Sequence, residues 1–281
     1  MWDAILDGVL DSLKLLPFLF ITYLVMEYIE KRMHDRAEAV MHKAGRLGPL
    51  IGGALGLIPQ CGFSAAAASL FSGRVITLGT LITVFLVTSD EMLPVMISQA
   101  APIETIVSIL LIKLVLGMAA GFVVDLVYRN NPKKHSIHEL CENEHCSCEG
   151  GIVKAAVRHT LNIFIFILII TVVLDVIIFF VGEQNLGAAV VEYPFAGELL
   201  AGVVGLIPNC SASVIITQLY LDGIIGTGPL MSGLLVGAGV GLLVLFRTNR
   251  NRLKQNILIT VLLYAIGVVS GTVIGLTGLM L

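Results

Sequence analysis

The sequence predicts an all-α polytopic membrane protein. It should contain two inverted-topology repeats, each with three spanning helices and one broken re-entrant helical hairpin, ten helical segments in all. Three observations carry this expectation: a low content of charge, long apolar runs, and one six-residue motif that occurs twice. Of 281 residues, 57% are hydrophobic and 13% charged, and the mean hydropathy is +0.95. A soluble domain carries about 25% charged residues, and one aqueous core could not hide so much apolar surface. Soluble enzymes, nucleic-acid binders and disordered scaffolds are thereby excluded.

Apolar runs long enough to cross a bilayer give six ordinary spans, about Lys14–Ile29, Val75–Ile97, Thr105–Val127, Leu161–Val181, Ile224–Phe246 and Ile257–Leu279. Two further apolar stretches, Gly48–Phe71 and Glu198–Tyr220, are interrupted by Leu57-Ile58-Pro59-Gln60-Cys61-Gly62 and by Leu206-Ile207-Pro208-Asn209-Cys210-Ser211. The interruptions share the motif Gly-Leu-Ile-Pro-(Gln/Asn)-Cys, starting at Gly56 and Gly205, 149 residues apart. Ser64 and Ser213, Gly79 and Gly228, and Thr22 and Thr171 match at the same offset. Gly117–Gly121 resembles Gly267–Gly271 after a one-residue insertion. Such fixed-offset similarity marks an internal repeat: residues 1–128, a hydrophilic linker at 129–158, and residues 159–281.

Basic residues set the orientation. If each broken stretch enters and returns to one side, 15 of the 17 Lys and Arg lie in the loops Lys31–Arg46, Arg74, Arg129–Arg158 and Arg247–Lys254, all on one face. The opposite loops, Ser98–Glu104 and Val181–Ala196, hold none. By the positive-inside bias the basic loops are cytoplasmic and both termini lie outside. Three crossings per copy make the copies opposite in orientation. The acidic start, Met1 to Lys14, lacks the basic region and cleavage site of a signal peptide.

Inverted repeats with one broken element each are the plan of secondary transporters, with substrate bound where the breaks meet. The candidate binding residues are Gln60, Cys61 and Ser64 in one turn and Asn209, Cys210, Ser211 and Ser213 in the other. Thiolates favour thiophilic metals and metalloids, and a helix N-terminus lowers a thiol's pKa. A lone cysteine in an apolar helix is ordinarily a small packing residue; two at equivalent helix breaks suggest ligands. Thr88-Ser89-Asp90-Glu91 places two acids inside a span, which points to an ion or proton pathway. Ser89, Asp90, Glu91 and Lys113 are the candidate coupling residues; Lys113 should sit at similar depth and neutralise one acid. The second copy has Gly239 and Val240 in place of those acids. Glu27, Asp125 and Asp175 fall near span ends and read as interfacial. The glycine stripes Gly233/Gly237/Gly241 and Gly267/Gly271/Gly275 read as close-packing surfaces. In the linker, His135, His138, Cys141, His145, Cys146 and Cys148 form a metal-ligand cluster whose spacing fits no standard zinc pattern.

The segments Ile58–Ser69, Thr88–Pro94, the His/Cys linker and Ile207–Ser213 together resemble the ten-segment heavy-metal exporters, often described as arsenic-efflux permeases and sometimes as manganese transporters. The likeness runs over nearly the whole chain. It implies export of a metal or metalloid from a prokaryotic cytoplasm, and hence a multi-pass inner-membrane location. The expectation is a transporter and not an enzyme. It requires no cofactor, though the linker is a candidate site for a bound metal ion. Expected partners are the bilayer, a metal or metalloid substrate and a coupling ion, the proton first. A second copy of the chain is a candidate partner, and nucleic acid is not. No phosphate-binding loop of the Gly-x-x-x-x-Gly-Lys-(Ser/Thr) type occurs, so an ion gradient or a partner ATPase must supply the energy. Two alternatives stand beside this reading: a carrier of a harder ion such as manganese, liganded by Asp90 and Glu91, and a membrane thiol oxidoreductase cycling Cys61 and Cys210.

Overall fold

A computed structural model describes residues 13, 16–17, 19–21, 23–24, 47–58, 61–89, 91–128, 152–181 and 197–277. The described residues are helical apart from short connections. Helical residues between 13 and 24 come first. They are followed by α1 (Leu47–Gly56), α2 (Cys61–Ser72), α3 (Leu78–Val87), α4 (Met92–Ser98) and α5 (Ile103–Tyr128). Next come α6 (Ile152–Val181), which begins inside the stretch expected as linker, α7 (Gly197–Gly205), α8 (Cys210–Leu221), α9 (Thr227–Val236), α10 (Val240–Thr248) and α11 (Leu253–Thr277).

The repeat is visible in these boundaries. Both ends of α8 and both ends of α9 lie 149 residues beyond those of α2 and α3. The interruptions after Gly56 and Gly205 fall where the sequence motif places them. Two of the expected spans are corrected. Val75–Ile97 is not one helix but α3 and α4, parted at residues 88–91, and Ile224–Phe246 is α9 and α10, parted at Gly237–Gly239. Each copy therefore carries two breaks. Read through those breaks, Leu78–Ser98 and Thr227–Thr248 are still long and apolar enough to cross a membrane, as are Ile103–Tyr128 and the stretch ending in α11.

Local chemistry accounts for the second pair of breaks. Thr88 turns extended at the end of α3, with φ −50° and ψ 128°. Its hydroxyl donates to the Val84 carbonyl at 2.6 Å, and the Ser89 hydroxyl donates to Val87 at 3.0 Å. Hydroxyls that satisfy carbonyls locally give the chain a way out of the helix. In the second copy glycine does this work: Gly239 has φ +53° and ψ −142°, a region open essentially to glycine alone.

α5 and α11 are apolar outside and partly polar or small inside. Ile103, Val107, Leu111, Val115, Phe122 and Leu126 of α5 are exposed, while Ile109, Lys113, Gly117 and Gly121 are buried. On α11, Leu253, Ile257, Val261, Val269 and Val273 face outward, opposite buried Asn256, Leu263, Gly267 and Gly271. An exposed apolar stripe of this length belongs against lipid. The inward glycines permit close approach. A Cβ on Gly121 would run into the Thr83 hydroxyl of α3, and one on Gly267 into Val236 of α9. α3 and α9 themselves are buried almost throughout and pack on one another at the centre.

The copies also exchange contacts. α2 of the first packs on α10 of the second, and α8 of the second packs on α4 of the first. Ser72 and Thr248 share a 2.6 Å hydrogen bond at the far end of the first of these pairs.

Candidate functional site

Four helix breaks meet in the core. In the first copy, the absent Cβ of Gly56, the last residue of α1, would lie 3.1 Å from Val87 Cβ, the last residue of α3. In the second, a Cβ on Gly205 would strike the Gly233 carbonyl of α9, and one on Gly237 would lie 3.9 Å from the Gly205 carbonyl. Two contacts then join the copies. Ser64, one turn into α2, lies against Gly241 at the start of α10, where an added Cβ would come within 2.8 Å of Ser64 Cβ. Lys113 of α5 donates from Nζ to the Thr88 carbonyl at 2.6 Å and to the Leu234 carbonyl of α9 at 2.9 Å.

Irregular backbone at membrane depth is tolerated where it is buried in protein or lines a cavity, and this layer concentrates such backbone. Cys61 and Cys210 are the first residues of α2 and α8. They occupy helix N-termini, where free N–H groups and the positive dipole end favour anions. The side chains of Cys61 and Cys210 lie outside the described part, as do Pro59, Gln60 and Asp90. Asn209 is buried and caps α8, its side chain accepting from the Ser211 amide at 3.4 Å. Ser64 is fully buried, whereas Ser211 and Ser213 are half-buried. Ser89 is buried, and Glu91 is half-buried at the start of α4 without a side-chain capping bond. Lys113 is fully buried at the depth of the acidic break, as its position in the sequence suggested.

The structure thus gathers Ser64, Ser89 and Lys113 into the layer of the breaks, together with the helix ends that carry the cysteines. His135, His138, Cys141, His145, Cys146 and Cys148 lie outside the described residues. Among the described residues no three His, Cys, Asp or Glu side chains cluster in a way that could hold a metal ion.

One acid has a role that the sequence concealed. Asp125 is not merely interfacial. From α5 it accepts the Thr77 hydroxyl at 2.7 Å and the Gly79 amide at 2.7 Å, closing the N-terminus of α3. The matching start of α9 has no side-chain cap, although the Glu198 carboxylate of α7 lies close by, 2.6 Å from where a Cβ on Gly228 would stand. Asp125→Ala should strand those two donors and cost about 1–3 kcal/mol. The thermal midpoint of detergent-purified protein is then expected to fall, with Asp125→Asn intermediate and a change at exposed Glu104 nearly silent.

No curated protein and no solved structure matches the chain. A family model described as "Putative, 10TM heavy-metal exporter" matches residues 3–183. That span takes in the first copy, the linker and α6. It is shorter than the likeness expected from the motifs, since Ile207–Ser213 lies beyond it. It still covers well over half of a multi-pass helical chain whose long apolar segments suit a membrane, and the protein belongs to this family of ten-segment heavy-metal exporters.

Proposed function

We propose that the protein is a secondary transporter that exports a thiophilic metal or metalloid, such as arsenite or a soft divalent cation. The substrate would be held between the Pro-(Gln/Asn)-Cys turns, with Cys61 and Cys210 as principal ligands and Gln60, Ser64, Asn209, Ser211 and Ser213 as weaker ones. Asp90 or Glu91 would change protonation or bind the coupling ion, with the proton first. One copy would rock against the other to alternate access. The linker cysteines and histidines would capture or sense the ion on the cytoplasmic side.

The observation that carries this reading is the position of the two cysteines. Each opens the second half of a broken apolar element at the same place in its copy. Soft sulfur ligands at helix N-termini suit a species that binds thiolate. A second reading, manganese or another hard ion on Asp90 and Glu91, is favoured by Glu91 lying half-buried with no capping bond.

Cellular metal content, measured by mass spectrometry in a sensitive host, separates the two. The host would be challenged with arsenite, manganese, zinc, cadmium and iron. Wild type is expected to lower the accumulation of one soft element, and Cys61→Ser/Cys210→Ser to restore it to the level of cells without the transporter. Lowered manganese that survives loss of both thiols would support the second reading. No change in any element, with the protein well expressed, would sink both.

A further inference from the structure

The C-terminal ends of α3 and α9 meet from opposite copies, and one ammonium lies between them. Lys113 is fully buried, and two of the three donors an ammonium carries go to Thr88 and Leu234 carbonyls. Neither carbonyl serves a regular helix. Thr88 is the extended residue that caps the end of α3. Leu234 lacks its usual donor because the Ala238 amide bonds to Val236 at 2.8 Å instead. The last carbonyls of a helix are unsatisfied and carry the negative end of its dipole. Two such ends brought together offer carbonyl acceptors to a cation, and unwound carbonyls at half-helix C-termini are how transporters commonly hold small monovalent ions. At the equivalent place on α11 the second copy has Leu263, also fully buried, so the ammonium comes from the first copy alone.

We infer that Lys113 is a tethered occupant of a monovalent-cation site formed by the ends of α3 and α9, and that it fixes the two copies to each other without a free alkali ion. The burial of an ammonium is costly unless it is well hydrogen-bonded, and here a carbonyl from each copy supplies one such bond. It follows that shortening the side chain should uncover a site for a free small cation. This holds whatever the transporter carries, so its failure would leave the proposed substrate untouched.

The test is thermal unfolding of the full chain in detergent, in sodium, potassium, ammonium and choline chlorides at equal ionic strength. Wild type should have the same midpoint in all four. Lys113→Ala should be less stable in choline, and a small cation at about ten times its dissociation constant should raise the midpoint by roughly 3–5 °C. Lys113→Met, which fills the space with an uncharged chain, should be destabilised in every salt and not rescued. Equal responses of wild type and Lys113→Ala, or an alanine variant as stable as wild type in choline, would overturn the inference. Should Lys113→Ala not be recovered folded in any salt, Lys113→Ala/Leu263→Lys decides. Folded protein from that double variant supports a charge shared by both helix ends, and its loss overturns it.

Discussion

Gly239→Val is expected to lower transport sharply by destabilising the folded state. Gly239 sits at the break between α9 and α10 with φ +53° and ψ −142°, and it is buried. A side chain there meets two penalties. The backbone conformation costs a non-glycine residue about 1–3 kcal/mol, and added volume in a closely packed core typically costs a further 1–3 kcal/mol. Native proteins have only about 5–15 kcal/mol in hand. The valine variant should therefore give a reduced yield of monodisperse protein, with a lowered thermal midpoint. Gly223 provides the comparison. Its φ is also positive, +70°, but a Cβ there would meet nothing within 4 Å. Gly223→Ala should thus show the strain alone, a fall of about 1 kcal/mol. Equal stability of the Gly239→Val variant and wild type would mean that the break is not fixed by its glycine.

The second large effect is expected at the acidic break. Asp90→Asn/Glu91→Gln should reduce export to the level of cells without the transporter, because an acid at membrane depth is costly to keep unless an ion uses it. Binding and movement should separate in this variant. If the cysteines hold the substrate and the acids couple its passage, the acid variant retains affinity for the soft element in purified protein but loses export, while the thiol variant loses both. Isothermal titration beside metal content in cells reads the two quantities. Loss of binding in the acid variant, with binding intact in the thiol variant, would transfer the ligand role to Asp90 and Glu91.

How much was legible beforehand follows from what announces itself along the chain. The breaks after Gly56 and Gly205 were visible because proline interrupts an apolar run and the interruption recurs 149 residues later. The breaks at residues 88–91 and 237–239 were hidden by their own apolar surroundings. Leu78–Ser98 and Thr227–Thr248 each remain hydrophobic enough to read as one uninterrupted span. A signal existed: Thr88-Ser89-Asp90 and Gly237-Ala238-Gly239 stand at the same offset, and both are rich in residues that favour turns. Set side by side, the two would have suggested a shared bend, whereas Asp90 and Glu91 alone suggested only acids within a helix. The bonds of Asp125 were beyond sequence reasoning altogether. They join α5 to the start of α3 across 46 and 48 residues. The Lys113 contact with Leu234, across 121 residues, was illegible for the same reason: position along one helix gives depth but not neighbours.

The exchange of helices between copies sets a schedule for biosynthesis. Ser72 meets Thr248 only after 176 further residues have been made, and Lys113 meets Leu234 after 121. At about 5–20 residues per second, the first of these intervals lasts roughly 9–35 s. Through that time α2 lacks α10 and α3 lacks α9, so surfaces destined for protein face the lipid or the insertion machinery. The buried ammonium is then a charge without its second anchor. The first copy is completed only when the last third of the chain arrives.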